Sequence, residues 1–85
     1  MSLDLTAARC EALFASTVPG ATSLSPAEVL EAVARTVSRL GSRGCAAHMA
    51  QEFGDHPDAA ARRMRWARAQ VERLYAGRCA LRLAA

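Results

Sequence analysis

The sequence predicts an all-α fold: one domain over residues 1–85, built as a small bundle of about four helices. Strands have little support, because the chain contains five Val and no Ile and no stretch alternates apolar and polar residues. Helices have strong support, because apolar residues recur at spacings of three and four between segments that contain Gly and Pro. Ala accounts for 20 of the 85 residues and buries little area per side chain, so the predicted core is thin.

The first helix is predicted over residues 3–15. Two apolar stripes, which begin at Leu3 and Leu5, compete for its buried face, and both are compatible with partial burial. The segment TVPGATS follows and consists of turn-forming residues, extended before Pro19. We therefore expect a linker between the first two helices.

The second helix is predicted over residues 26–40 and has the clearest start in the chain. Ser25 is the expected N-cap, Pro26 occupies the first helical position, and Glu28 completes a capping box. Gly41 is expected to end the helix in a left-handed cap. The apolar stripe of this helix has four members at helical spacing: Val29, Val33, Val37 and Leu40.

Two further helices are predicted in the second half of the chain. The third is short, covers residues 43–53 and ends at Gly54. The fourth is the longest, covers residues 57–77 and ends at Gly77, which leaves residues 78–85 as a frayed or docked tail. The apolar stripe of the fourth helix has five members: Ala60, Met64, Ala67, Val71 and Leu74.

Trp66, the single tryptophan, stands among four arginines in the stretch RRMRWARAQ of the fourth helix. At 100° per residue it projects about 130° from the centre of the apolar stripe, on the side of the arginines. Three interpretations remain open. In the first, the indole is a second core contact covered by the first helix or by the C-terminal tail. In the second, it anchors a protein partner, which can be a second copy of the chain. In the third, it is part of a nucleic-acid surface.

The segment AAHMAQEFGDHPDAAARRM, between the third and fourth predicted helices, resembles a helix-turn-helix DNA-binding domain. Ala50, Gly54 and Ala60 match the spacing of that family's motif, while Met49 and Phe53 match apolar positions of its first helix. The resemblance covers about 20 of the 85 residues. It implies a corner between the last two helices, and it implies double-stranded DNA as the partner.

The resemblance places the second helix of the corner in the major groove, where Arg62 or Arg65 suits guanine. The chain departs from the motif at Asp55 and at Arg63, where the family has apolar residues, and the apolar residue follows one step later at Met64. This departure indicates a longer turn or a different crossing angle. The candidate DNA-contacting residues are seven: Arg43, His56, Arg62, Arg63, Arg65, Trp66 and Arg68.

The net charge of +3 is distributed unevenly. Residues 1–56 carry four Arg and six acidic residues, which gives −2, and residues 57–85 carry seven Arg and two acidic residues, which gives +5. This asymmetry indicates an acidic partner for the C-terminal part. The chain has no Lys, Ile or Asn and resembles the short proteins common in GC-rich actinobacteria, so genome composition accounts for part of the arginine excess.

The sequence predicts a protein that is not an enzyme, uses no cofactor, binds no metal and has no small-molecule substrate. Cys10, Cys45 and Cys79 are widely spaced and form no CxxC unit, and the chain has no glycine-rich phosphate loop. No apolar run approaches the roughly 20 residues of a membrane span, so we expect a cytoplasmic protein. The predicted function is a non-enzymatic binding module, DNA-binding or transcription-associated. The alternative is a protein-interaction module or homodimer that uses Trp66 and the arginine face of the long helix.

Overall fold

The structure is a computed structural model that describes the backbone of residues 5–84 and the side chains of residues 5–75. The described backbone forms three helices and no strand: α1 is Leu5–Ala15, α2 is Pro26–Asp55 and α3 is Pro57–Ala84. The predicted all-α class is confirmed. The count of about four helices is one too many, because the second and third predicted helices are joined in α2.

Helix α2 begins at the predicted capping box. Ser25 has extended backbone angles, the Glu28 amide donates to its Oγ at 3.2 Å, and the Ser25 amide donates to Glu28 Oε1 at 2.9 Å. Pro26 occupies the first helical position, where its missing N–H leaves no hydrogen bond unmade. Hydrogen bonding from the Ser25 amide, and next from the Ser25 side chain, lowers the pKa of the Glu28 carboxyl, because it favours the charged form.

Gly41 breaks the direction of α2 without ending it. Its φ of +73° and ψ of 165° are not helical, so α2 consists of two segments that meet at a kink. This backbone region is essentially restricted to glycine, since a Cβ clashes with the neighbouring peptide groups. The prediction located the change of direction correctly, but the chain resumes a helix at once instead of passing through a loop.

The corner between α2 and α3 is a single residue, His56. Gly54, the predicted end of the third helix, lies inside α2, and its φ is not positive. The His56 amide donates to the Glu52 carbonyl at 2.7 Å, and the His56 carbonyl accepts from the Ala60 amide at 2.8 Å. The connection is shorter than the three or four residues of a helix-turn-helix turn.

Helix α3 continues to Ala84 and therefore includes most of the predicted tail. At the other end of the chain, the predicted first helix starts at residue 3, which lies outside the described residues. Helices α2 and α3 have 30 and 28 residues, so their length alone exceeds the roughly 20 residues of a membrane span. No helix within the described part combines that length with the apolar character needed to cross a bilayer.

Helix α1 packs against both α2 and α3 and supplies much of the core. Five of its eleven residues are buried, and Leu13 and Phe14 join the larger core cluster. The Phe14 ring stacks on Phe53 with centroids 5.9 Å apart and meets His48 edge-on at 6.2 Å. The larger cluster contains nine buried residues: Cys10, Leu13, Phe14, Leu24, Val29, Ala32, Ala60, Ala67 and Val71.

Candidate nucleic-acid interface on the third helix

The linker of residues 16–25 lies along one face of α3. Four side chains of α3 donate to it or accept from it, and their spacing of three, four and three residues places them on one side of the helix. We call this set the linker-binding face. Its members are Arg63, Trp66, Gln70 and Arg73.

Arg63 caps the C-terminal end of α1 from outside that helix. Its Nε donates to the Phe14 carbonyl at 2.8 Å, and its Nη2 donates to the Ser16 carbonyl at 2.8 Å and reaches the Leu13 carbonyl at 3.4 Å. Its Nη1 donates to the Val18 carbonyl at 2.7 Å. The last carbonyls of a helix have no partner within it and carry partial negative charge. Helix α1 has no basic residue in its own last turn, so α3 supplies the cation.

The Arg63 side chain is half-buried and carries its positive charge at neutral pH. Burial lowers the pKa of the Arg63 guanidinium, but an arginine pKa lies so far above neutrality that the group keeps its charge. The guanidinium also lies over the Trp66 ring, 4.7 Å from the ring centroid. Since Arg63 donates to main-chain carbonyls from all three of its nitrogens, it is committed to the interior of the fold.

Trp66 is a partly buried residue that packs against the larger core cluster. Its indole Nε1 donates to the Thr22 carbonyl at 2.8 Å. The position of Trp66 therefore agrees with its interpretation as a second core contact, except for the segment that lies against it. The sequence suggested the first helix or the C-terminal tail as the cover, whereas the segment that accepts the indole hydrogen bond is the linker.

Gln70 and Arg73 fix the end of the linker, and sequence reasoning did not single out either. The Leu24 amide donates to the buried Gln70 Oε1 at 2.9 Å, and Arg73 Nη1 donates to Ser23 Oγ at 3.0 Å and to Gln70 Oε1 at 3.3 Å. The sequence did contain one indication of this face: positions 63, 66, 70 and 73 each hold a polar or amphipathic residue. The helical spacing of those positions indicates one polar face with a polar partner.

Three further arginines of α3 point away from the linker, and we call them the outward arginines. Arg62, Arg65 and Arg68 are exposed and make no hydrogen bond or ion pair with the described residues. Asp58 and Glu72 lie four residues from Arg62 and Arg68, but neither carboxylate forms an ion pair with them. Within residues 5–75, the ion pair is between Glu31 and Arg35 on α2.

Arg43 and His56 are exposed and lie at opposite ends of the second segment of α2. Thirteen residues of mostly helical chain separate them, a rise of about 20 Å. The seven predicted residues therefore divide into separate places. The outward arginines form one stripe, Arg43 and His56 stand apart from each other, and Arg63 and Trp66 belong to the linker-binding face.

Two clefts flank the second segment of α2. One, of about 340 Å³, is lined by Phe14, His48, Glu52 and Arg63 among others. The other, of about 500 Å³, is lined by Met49, Phe53, Met64 and Arg68 among others. They show that this segment and α3 lie side by side.

The remaining reactive side chains do not gather into a site within the described residues. No group of three or more His, Cys, Asp or Glu side chains there is arranged to hold a metal ion. Cys45 is buried, and burial raises the pKa of its thiol, with the Glu11 carboxylate adding to the effect and Arg39 opposing it. A thiol with a raised pKa is a weak nucleophile at neutral pH.

The chain matches no protein-family model, no curated protein and no solved structure.

Proposed function

We propose that the protein is a non-enzymatic DNA-binding module whose outward arginines contact the phosphate backbone of duplex DNA. The observation that supports this most is the contrast along α3. Arg63 is occupied by main-chain carbonyls, while Arg62, Arg65 and Arg68 are exposed and have no partner among the described residues. Exposed guanidinium groups without internal carboxylates are available for phosphate.

The spacing of the outward arginines suits a phosphate backbone. Successive members rise about 4.5 Å along the helix axis, and each strand of a duplex carries one phosphate per roughly 3.4 Å. Each side chain is therefore able to reach a different phosphate. Such contacts position a protein on DNA without reading its sequence.

The proposal is limited to backbone contact. The resemblance to a helix-turn-helix implied that Arg62 or Arg65 reads guanine, but the connection between α2 and α3 is one residue and Gly54 is helical. Asp58 also projects from the first turn of α3, where a carboxylate opposes phosphate. We expect weak sequence preference and strong salt dependence. We also propose a cytoplasmic location, as the sequence predicted.

The alternative interface through Trp66 is not carried forward as a proposed function. The linker accepts the indole hydrogen bond, and Arg63 lies over the indole ring. A partner that used this face would first have to displace the linker.

The test is the salt dependence of binding to a duplex of mixed sequence, measured by anisotropy of a labelled DNA. We compare Arg62→Gln, Arg65→Gln and Arg68→Gln with Arg39→Gln, which removes the same charge from an exposed position on α2. Each outward substitution is expected to reduce the slope of log Kobs against log salt by about 1, because one phosphate contact is lost.

The Arg39→Gln control is expected to keep the slope of the unmodified protein. Equal losses in all four variants would mean that only net charge matters, and no binding at low salt would refute DNA contact altogether. Either result would overturn the proposal.

A further inference from the structure

The first segment of α2 carries an apolar stripe on the side that faces away from the core. Leu30 is 45% exposed and Val37 is 38% exposed, and Ala34 between them is also exposed. Their spacing of four and three residues places them on one face of the helix. The opposite face holds the buried Val29 and Thr36. Nothing in the described chain covers the stripe.

The stripe continues onto α1. Leu5 is 54% exposed, the highest value among the large apolar side chains described. A shallow cleft of about 240 Å³ lies between the two helices, with Leu5, Ala8, Val33 and Val37 in its lining. Exposed apolar residues of two helices therefore lie next to each other, whereas those on a monomer are normally scattered singly.

The charges beside the stripe favour one relative direction for two copies of this segment. Glu31 lies towards the N-terminal end of the segment and Arg35 lies one turn later on the same flank, where the two form an ion pair. If two copies of the segment run antiparallel, Glu31 of each lies beside Arg35 of the other. If they run parallel, the two-fold axis places these flanks on opposite sides of the interface, and neither charge gains a partner from the other copy.

We propose that this patch is a homodimer interface, in which the first segment of α2, residues 26–40, packs antiparallel against the same segment of a second copy. The two-fold axis lies near Ala34, whose small side chain allows the helices to approach closely. Leu30 then lies opposite Val37 of the other copy, so each exposed apolar side chain gains an apolar neighbour. Such a contact is isologous and closes at two subunits.

The interface is separate from the proposed DNA contact. The outward arginines lie on α3, and the patch lies on α1 and α2, so loss of one function leaves the other measurable. A patch formed by one helical segment and part of a second is at the small end of specific interfaces. We therefore expect a dimer that dissociates in the micromolar range.

The first experiment is sedimentation velocity over a concentration series without DNA. Ala34→Glu places two carboxylates at the axis and is expected to give a monomer at every concentration. Ala69→Glu is the matched control, since Ala69 is an exposed alanine on α3. It is expected to dimerise like the unmodified protein. Circular dichroism of both variants checks that the helical content is retained.

The second experiment restores the interface by exchanging charge. Glu31→Arg and Arg35→Glu each place like charges across the axis, so each variant alone is expected to be monomeric. An equimolar mixture pairs Arg with Glu at both of these positions and is expected to dimerise. A mixture that stays monomeric would overturn antiparallel pairing. The interface itself fails if the unmodified protein is monomeric up to millimolar concentration, or if Ala34→Glu and Ala69→Glu dimerise equally.

Discussion

Two adjacent arginines of α3 have opposite surroundings. Arg63 donates to the carbonyls at the end of α1, whereas Arg62 is exposed. On a helical wheel Arg63 lies about 70° from the centre of the apolar stripe and Arg62 lies about 170° away. The helical wheel therefore separates Arg63 from Arg62. The composition of the basic stretch does not, because it counts both residues equally.

Two glycines of α2 give opposite predictions at the scale of a single residue. Gly41 has a φ of +73° and open space where a Cβ would stand. Gly41→Ala is therefore destabilised only by the strained backbone conformation of the alanine. We expect a loss of about 1–3 kcal/mol in the free energy of unfolding. Gly54 is helical and also has open space, so Gly54→Ala is expected to gain about 0.4–1 kcal/mol.

Urea unfolding of the two variants measures this difference. A destabilising Gly54→Ala would indicate a left-handed turn at that residue, as the helix-turn-helix resemblance requires. A neutral Gly41→Ala would mean that α2 is not kinked there.

At the scale of the element, the start of α2 carries a pH dependence. Hydrogen bonds from the Ser25 amide and the Ser25 side chain lower the pKa of the Glu28 carboxyl. The carboxylate therefore stabilises the folded state at pH values above its ordinary pKa. The contribution is lost as the pH falls through the lowered pKa, because the protonated carboxyl is a poorer acceptor. We expect it to disappear from about pH 5 downward.

The comparison that isolates this effect is the thermal midpoint of Glu28→Gln and of the unmodified protein between neutral and acidic pH. Gln keeps an acceptor oxygen but has no charge to lose. The unmodified protein is expected to be the more stable at neutral pH, and the two midpoints are expected to converge in acid. A constant difference across the series would show that the carboxylate charge contributes nothing to the cap.

The elements differ in how far the sequence determined them. The start of α2 was predictable, since Ser25, Pro26 and Glu28 act through local hydrogen bonds that local sequence encodes. The break at Gly41 was predictable in place but not in kind, because a single non-helical residue leaves no loop to recognise. Gly54 misled the prediction, since a glycine near a helix end is compatible with both a cap and a last helical turn.

The docking of the linker was the part that sequence could not supply. The acceptors for Arg63 and Trp66 are main-chain carbonyls of residues such as Val18 and Thr22, and a carbonyl carries no side-chain signature. The pairs are also more than forty residues apart, so no local pattern reports them. The outward arginines were among the predicted DNA-contacting residues, but their separation from Arg63 needed the fold.

At the scale of the whole molecule, polar contacts supplement a thin core. Much of the larger core cluster consists of small side chains, such as Ala32, Ala60 and Ala67. Hydrogen bonds from α3 hold the end of α1 and the linker in place, and Arg9 Nη1 donates to Tyr75 Oη at 3.1 Å to join α1 and α3 again. The stretch RRMRWARAQ therefore combines an inner face that fixes the fold with an exposed outer face that we propose contacts DNA.

The central claim is that Arg63 is an internal support and Arg62 is not. The measurement that tests it most directly is urea unfolding of Arg63→Lys and Arg62→Lys, followed by the emission of Trp66. Lysine keeps the charge but lacks the planar set of donors that spans several carbonyls. Arg63→Lys is expected to lose about 2–4 kcal/mol, because several part-buried carbonyls lose their partner at once. Arg62→Lys is expected to stay within about 0.5 kcal/mol of the unmodified protein. Equal stability of the two variants would contradict the account.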